Sequence, residues 1–187
     1  MATSRARERI LAAATRLFAD EGVHATSVDR VVAEAGVAPM TVYRHFAGKD
    51  ELVTATLERW SGEWLGWLRD ESGPGDDAGS RLEGLWDALE KWFANEGFRG
   101  SYVDNVATEL RAKPGHPAQR TIAAHRVALR ALLREIAAQA GATSPTGAAL
   151  QLHILIDGAT ALAVVDRQPG AAASARAMAA TVIAPAP

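Results

Sequence analysis

The stretch 26-TSVDRVVAEAGVAPMTVYRHFAGKDEL-52 decides how this chain is read. Its opening Thr and Ser are helix-capping residues, and Thr26-Ser27-Val28-Asp29 has the form of a capping box with Asp in place of Glu. A short helix follows, about Ser27 to Glu34, with Val28, Val31 and Val32 on its inner side. Ala35-Gly36-Val37 reads as a tight turn, because glycine reaches positive φ at little cost. Pro39 suits the first turn of a second short helix, where the amide it lacks would have no partner. That helix runs to about His45 or Phe46, and Gly48 precedes a third helix starting near Lys49. On spacing alone the first two could be a plain helical hairpin. The chemistry of the second argues otherwise. Val42 and Phe46, four apart, face the neighbouring helices and leave Thr41, Tyr43, Arg44 and His45 outward. A hydroxyl, a phenol, a guanidinium and an imidazole on one short surface suit phosphates and base edges better than bulk water.

Taken at their fixed spacing, Thr26, Val28, Val31, Ala33, Gly36, Val37, Thr41, Tyr43, His45, Phe46, Lys49 and Leu52 resemble the N-terminal domain of the TetR family of regulators. The resemblance covers the chain to just past Leu52 and weakens beyond it. Phe98-Arg99-Gly100-Ser101 and the helical remainder are similar to one branch of the family's ligand-binding domains. The resemblance implies that Thr26 or Ser27, at a helix start, binds phosphate through hydroxyl and amide. It places Thr41, Tyr43, His45 and Lys49 on phosphates too, and Ala38, Pro39, Met40 and Arg44 at or near the bases. Among these, Arg44 is the strong donor. It suits bidentate contact with guanine, with a phosphate contact as the competing role. His24 reads as an ordinary loop histidine.

Outward from this stretch the chain keeps a helical period. Ile10, Leu11, Ala14, Leu17 and Phe18 share one face of a first helix, capped by Thr3 or Ser4 and ended by Gly22. A longer helix, Asp50 to Asp70, carries Leu52, Leu57, Trp60, Trp64 and Trp67, and Glu71 to Gly79 is a loop. Leu82, Trp86, Leu89 and Phe93 form the next stripe. Further helices are expected at Tyr102 to about Arg111, Ala118–Gln139, Thr146–Asp166 and Ala171–Ile183, with Lys113 to Pro117 a loop. No strand alternation or repeat is present. The expected fold is all-α: an N-terminal three-helix helix-turn-helix DNA-binding domain over 1–49, then a larger helical ligand-binding and dimerisation domain over 50–187.

Composition bounds the function. With 187 residues, 48% of them apolar, a core is assured, and the absence of cysteine excludes disulfides, thiolate catalysis and Cys-ligated zinc. A net charge of -2 argues against a protein that coats nucleic acid. Residues 1–49 hold seven Lys/Arg against five Asp/Glu, whereas residues 50–187 hold 13 against 17, so the basic excess lies with the DNA motif. Met1 to Arg9 is polar and basic, unlike an export signal. The apolar run Ala148 to Val165 carries Gln151, His153 and Asp157 and reads as a buried helix rather than a span. A cytoplasmic protein with no membrane partner and no cofactor is expected.

Five tryptophans, Trp60, Trp64, Trp67, Trp86 and Trp92, fall within one third of the chain. Core packing accounts for most of them, with Trp64 and Trp86 as candidate walls of a small-molecule pocket. Phe93, Tyr102, His125, His153 and Asp157 are the further ligand candidates. His153, Asp157 and Thr160 recur at i, i+4 and i+7 on an apolar helix. They form an internal or dimer-interface network, a ligand-orienting stripe, or a metal site needing further ligands such as His125. The nearly all-round apolarity of Thr146–Asp166 predicts burial on two sides. Together with the small residues Ala173, Ala177 and Ala180, it resembles the family's four-helix dimer interface. No Ser-His-Asp motif, Gly-rich phosphate loop or HExxH supports an enzyme built on His125, His153 and Asp157. A ligand-independent architectural DNA binder is disfavoured by the acidic balance of residues 50–187. The resemblance implies a homodimeric repressor, released from a palindromic double-stranded DNA operator by a small-molecule effector, with helix Asp50–Asp70 as lever.

Overall fold

The computed structural model describes residues 2–74 and 79–183, and side chains from Arg5 onward. Regular structure among these residues is entirely α-helical: α1 (Ala2–Glu21), α2 (Val28–Ala35), α3 (Pro39–His45), α4 (Lys49–Glu71), α5 (Ser80–Phe93), α6 (Tyr102–Glu109), α7 (Ala118–Gln139), α8 (Pro145–Val165) and α9 (Ala171–Ile183). Most expected boundaries agree to within a residue or two. Two corrections concern the ends of the first and sixth helices. Helix α1 already includes Thr3 and Ser4, so neither precedes it as a cap, and α6 stops at Glu109 rather than near Arg111. Residues 75–78 of the loop expected at 71–79 lie outside the described residues.

The helices gather into two compact units, the first comprising residues up to Glu63 with Ser101–His125, the second Trp64–Gly100 with Arg126 onward. The unit holding α1 to α3 therefore extends past residue 49: it takes in the first part of α4, all of α6 and the start of α7. Its core shows why. Ile10, Leu11, Ala14, Leu17 and Phe18 of α1 are buried with Val31 of α2, Val42 of α3 and Phe46. Leu52, Val53 and Leu57 of α4, Tyr102, Val103 and Val106 of α6, and Ile122 of α7 complete the cluster. Each fully buried large apolar side chain is worth about 1.5–3 kcal/mol. Of the valines expected inward on α2, Val31 is fully buried and Val28 and Val32 only partly.

Tyr102, a ligand candidate by sequence, belongs to this core instead. Its hydroxyl donates to Thr56 Oγ1 at 2.9 Å, and Thr56 in turn donates to the Val53 carbonyl at 2.8 Å. Burial pushes the phenol's pKa far above its ordinary value.

In the second unit α5 packs on α8 and α9, and α8 packs on α9. The expected stripe on α5 is buried at Leu82, Trp86 and Leu89, while Phe93 is half-exposed. The unit's core also contains Leu129, Leu132, Leu133 and Ile136 of α7, Leu152 and Ile156 of α8, and Ala171, Ala172, Ala175 and Ala179 of α9. Small residues on α9 let the helices approach closely. On α8 only one side is covered: Leu150, Ile154, Leu162 and Val165 are exposed. By length and composition alone α8 could cross a membrane, but a helix with one face in a core and His153 and Asp157 within it needs no such explanation.

The Thr56–Tyr102 pair yields a first prediction. Tyr102→Phe removes one buried hydroxyl while Thr56 keeps its bond to Val53, so the expected loss is about 1 kcal/mol. Tyr102→Ala empties the site and should cost about 3–5 kcal/mol. Urea unfolding of both variants measures the difference, and equal losses would remove Tyr102 from the core.

Candidate DNA-binding interface

The surface of interest is built from the turn before α2 to the start of α4, all within the first unit. Ser27, in extended backbone, is the N-cap of α2, and its Oγ accepts from the Arg30 amide at 3.1 Å. The capping pair is thus Ser27 and Arg30, not the box expected from Thr26 to Asp29. Thr26 lies one residue earlier and is only 1% exposed. Its hydroxyl donates to the Gly22 carbonyl at 2.8 Å and its amide to the same oxygen at 3.3 Å. Both groups that a phosphate would need are already spent. Of the two candidates, Ser27 alone is exposed.

Helix α2 ends on Gly36, at φ 59° and ψ 44°, whose amide donates to Ala33 O, while the Val37 amide donates to Val32 O. This is the glycine-closed helix end that leaves few carbonyls unbonded. Arg9 of α1 satisfies two more, donating to Ala35 O and, at 2.8 Å, to Gly36 O. A Cβ at position 36 would sit 2.8 Å from the Arg9 guanidinium. Glycine is therefore needed twice over, for its backbone conformation and for the approach of Arg9.

Helix α3 opens on Ala38 as N-cap, with no side-chain capping bond, and Pro39 in its first turn. Val42 and Phe46 point into the core, as their spacing predicts. Met40 is 71% exposed and Tyr43 50%, and Ala38, Pro39 and Arg44 are exposed as well. Thr41 and His45 are only half-exposed. Neighbouring cations are engaged: Arg16 pairs with Glu34, Arg30 with Glu21 and Glu34, and Arg7 stacks 5.5 Å from the centre of the Phe46 ring. Lys49, first in α4, reaches the His24 carbonyl at 3.4 Å. Partial burial and the nearby Lys113 lower its pKa, against the opposing pull of Glu109 and Asp50.

His24 is more than an ordinary loop residue. Glu109, at the end of α6, accepts from the amides of Val23 (3.0 Å) and His24 (2.9 Å) and lies 3.0 Å from His24 Nδ1. Partial burial works against the Glu109 charge, but the His24 and Val23 bonds prevail and hold its pKa below the ordinary 4.5. Gly22, at φ 86°, gives the carboxylate room, since a Cβ there would lie 3.2 Å from Glu109 Oε1. Helix α6 thus grips the loop that leads into α2. Neither Arg9 nor Glu109 stood out in the sequence, because each acts on backbone groups that no motif records.

The ligand candidates divide between the units. In the first, beside Tyr102, His125 is buried with Nδ1 2.8 Å from Ser61 Oγ and its ring 5.8 Å from that of Trp60. In the second, Trp86 is wholly buried, which makes it core rather than a pocket wall open to solvent. Trp64 packs on Trp92 (5.3 Å between ring centres), which meets Phe98 edge-on at 4.9 Å, and Phe98 lies 5.2 Å from Phe93. Trp64 and Phe93 thus share an aromatic cluster that includes Phe98, which the periodic stripes do not single out. Asp157 is 3.3 Å from Arg126 and 3.6 Å from His153 Nε2, the internal network among the three alternatives. Among the described residues, no three His, Asp or Glu side chains group to hold a metal ion.

Two short helices joined by a glycine turn, the second exposed and held by its inward residues, define a helix-turn-helix protein. Residues 10–56 match the profile of the bacterial regulatory proteins of the tetR family. The crystal structure of a TetR-family transcriptional regulator from Streptomyces coelicolor superposes with a TM-score of 0.87 at 30% identity, over 96% of this chain and 95% of that one. The HTH-type transcriptional activator FasR of Mycolicibacterium smegmatis is 31% identical over 107 residues, which is 55% of this chain and 48% of FasR. The HTH-type transcriptional repressor KstR2 of Rhodococcus jostii is 28% identical over 123 residues, 56% of this chain and 59% of KstR2. The chain spans about half the length of these two curated relatives. It belongs to the TetR family, a family of transcriptional regulators rather than of enzymes.

The Glu109 clamp has a definite pH signature. A carboxylate whose pKa is depressed by folding contributes stability that is present above its unfolded value, here 4.5, and is lost as pH falls through the folded value. Glu109→Gln should therefore lower the thermal midpoint near pH 7, and the gap from wild type should narrow progressively as pH falls below 4.5. A gap that stays constant down to pH 3 would show that the charge of Glu109 does not hold the loop.

Proposed function

We propose that the protein is a homodimeric cytoplasmic repressor that binds a palindromic double-stranded DNA operator through α3 and is released by a small-molecule effector. The observation that carries this reading is the exposed face of α3, where Met40, Tyr43 and Arg44 stand clear while Val42 and Phe46 fix the helix from behind. In this reading Ser27, Thr41, Tyr43, His45 and Lys49 anchor phosphates, and Ala38, Pro39, Met40 and Arg44 lie at the bases. Residues 1–49 carry the DNA contacts, and residues 50–187 serve the effector and the dimer. Of the two curated relatives named above, FasR is an activator and KstR2 a repressor. Repression is the simpler output, since occupancy of an operator excludes a competing protein without any further contact. Effector binding is supported by the aromatic cluster at Trp64 and Phe93. An effector acts by its differential affinity for the DNA-binding and released states.

Selecting bound duplexes from a random DNA pool with the purified protein tests the reading. The enriched site should be two-fold symmetric, with half-sites about 34–36 Å apart or a multiple of that spacing. On that site Arg44→Ala should cost about 1–3 kcal/mol and relax preference at one symmetric pair of positions. Lys49→Ala should weaken binding to all sequences alike and reduce the salt slope by about one unit. A uniform loss from Arg44→Ala would move Arg44 to the phosphate class, and an altered sequence preference from Lys49→Ala would remove Lys49 from it.

The dimer has its own test. The uncovered side of α8, with Leu150, Ile154 and Leu162, and the exposed Ala177 and Met178 of α9 suit a two-fold interface with a second copy. Ala177→Glu would bury like charges close to one another there, where desolvation is costly. Sedimentation should find monomers with unchanged helical circular dichroism and greatly weakened operator binding. A variant that remains dimeric would place the interface elsewhere.

A further inference from the structure

The exposed face of α3 divides chemically into a polar part and an apolar part. Tyr43 and Arg44 end in polar groups. Ala38, Pro39 and Met40, all exposed, offer no strong donor or acceptor on any side chain. Pro39 has no amide, and the Thr41 amide is bonded to Ala38 O at 2.8 Å. These three side chains cannot read a base edge by hydrogen bonding. Among the groups that base pairs present in the major groove, the apolar one is the thymine C5 methyl. Purine N7, O6 and N6 groups or the cytosine amino group, covered by an apolar side chain, would lose their water without replacement. A methyl in the same place loses nothing and is itself desolvated. Met40 is the longest of the three, unbranched and adaptable in shape, and at 71% exposure it is free to be covered. It lies one helical turn from Arg44, so both side chains emerge from the same face.

We infer that Met40 reads a thymine C5 methyl in each half-site, so that specificity combines an apolar contact at Met40 with a polar one at Arg44. The inference rests on the DNA-binding reading above and deepens it. It does not depend on repression or on the effector.

The test uses the full-length protein and the most enriched duplex from the random pool, at fixed salt. Each symmetric pair of dT residues is replaced by dU, which removes the C5 methyl and nothing else. Burying one methyl group predicts that at one such pair the replacement weakens wild-type binding about fourfold per half-site and about fifteenfold for both. Met40→Ala should bind the dT and dU forms of that pair equally, whereas Met40→Leu, which keeps an apolar side chain, should retain the difference. Met40 is exposed, so unchanged thermal midpoints are expected for both variants. Wild-type protein indifferent to every dU replacement, or a Met40→Ala variant that keeps the full dU penalty, overturns the inference while operator binding itself stands. Failure of any duplex to enrich overturns the DNA-binding reading and the inference with it.

Discussion

A helix of seven residues does not persist in water, because nucleation is costly and so few hydrogen bonds follow it. The exposed face of α3 exists because Val42 and Phe46 are sunk in a core assembled from α1, α2, α4 and α6. That burial fixes the helix in rotation as well as in place. It dictates that Met40, Tyr43 and Arg44 point away together. Arg9 and Gly36 then fix the entry, closing the carbonyl end of α2 so that the chain turns sharply into α3.

The same core explains why α6 belongs with the DNA-binding helices. Tyr102, Val103 and Val106 supply its buried face, and Glu109 at its end holds the Val23 and His24 amides. The loop before α2 is tied to α6 by two backbone amides and an imidazole that meet one carboxylate. Helix α4 enters the same core through Leu52, Val53 and Leu57, directly after the Lys49 that closes the helix-turn-helix. Two helices, α4 and α6, therefore help to build the core in which Val42 and Phe46 are seated.

The second unit is built on a different balance. On α9 the buried residues are all alanine, which buries little apolar area per residue but permits close helix approach. Leucine and isoleucine on α7 and α8 supply the bulk. Arg176 of α9 reaches Asp87 and Glu83 of α5, adding a polar tie at the rim. Helix α8 is apolar on both its buried and its uncovered sides, and Asp157, within it, is paired to Arg126 and His153.

Much of this was legible in the sequence, because periodicity and punctuation are local properties. The stripe Ile10 to Phe18, the pair Val42 and Phe46, the turn at Gly36 and the helix starts at Lys49 and Ala118 all follow from spacing, glycine and proline. The residues determined by themselves that the chain is helical, that it carries a helix-turn-helix, and that Tyr43 and Arg44 face outward. Tertiary structure decided what depends on partners distant in sequence. Thr26 and Ser27 are equally good caps on paper, and only the position of Gly22 O turns the Thr26 hydroxyl inward. Tyr102 and Trp86 look like pocket aromatics until packing encloses them. Arg9 and Glu109 are unremarkable charged residues whose partners are backbone groups 26 and 85 or 86 positions away. A side chain's type and period are written in the sequence, whereas the carbonyl or amide that meets it is fixed only when the helices close around one core.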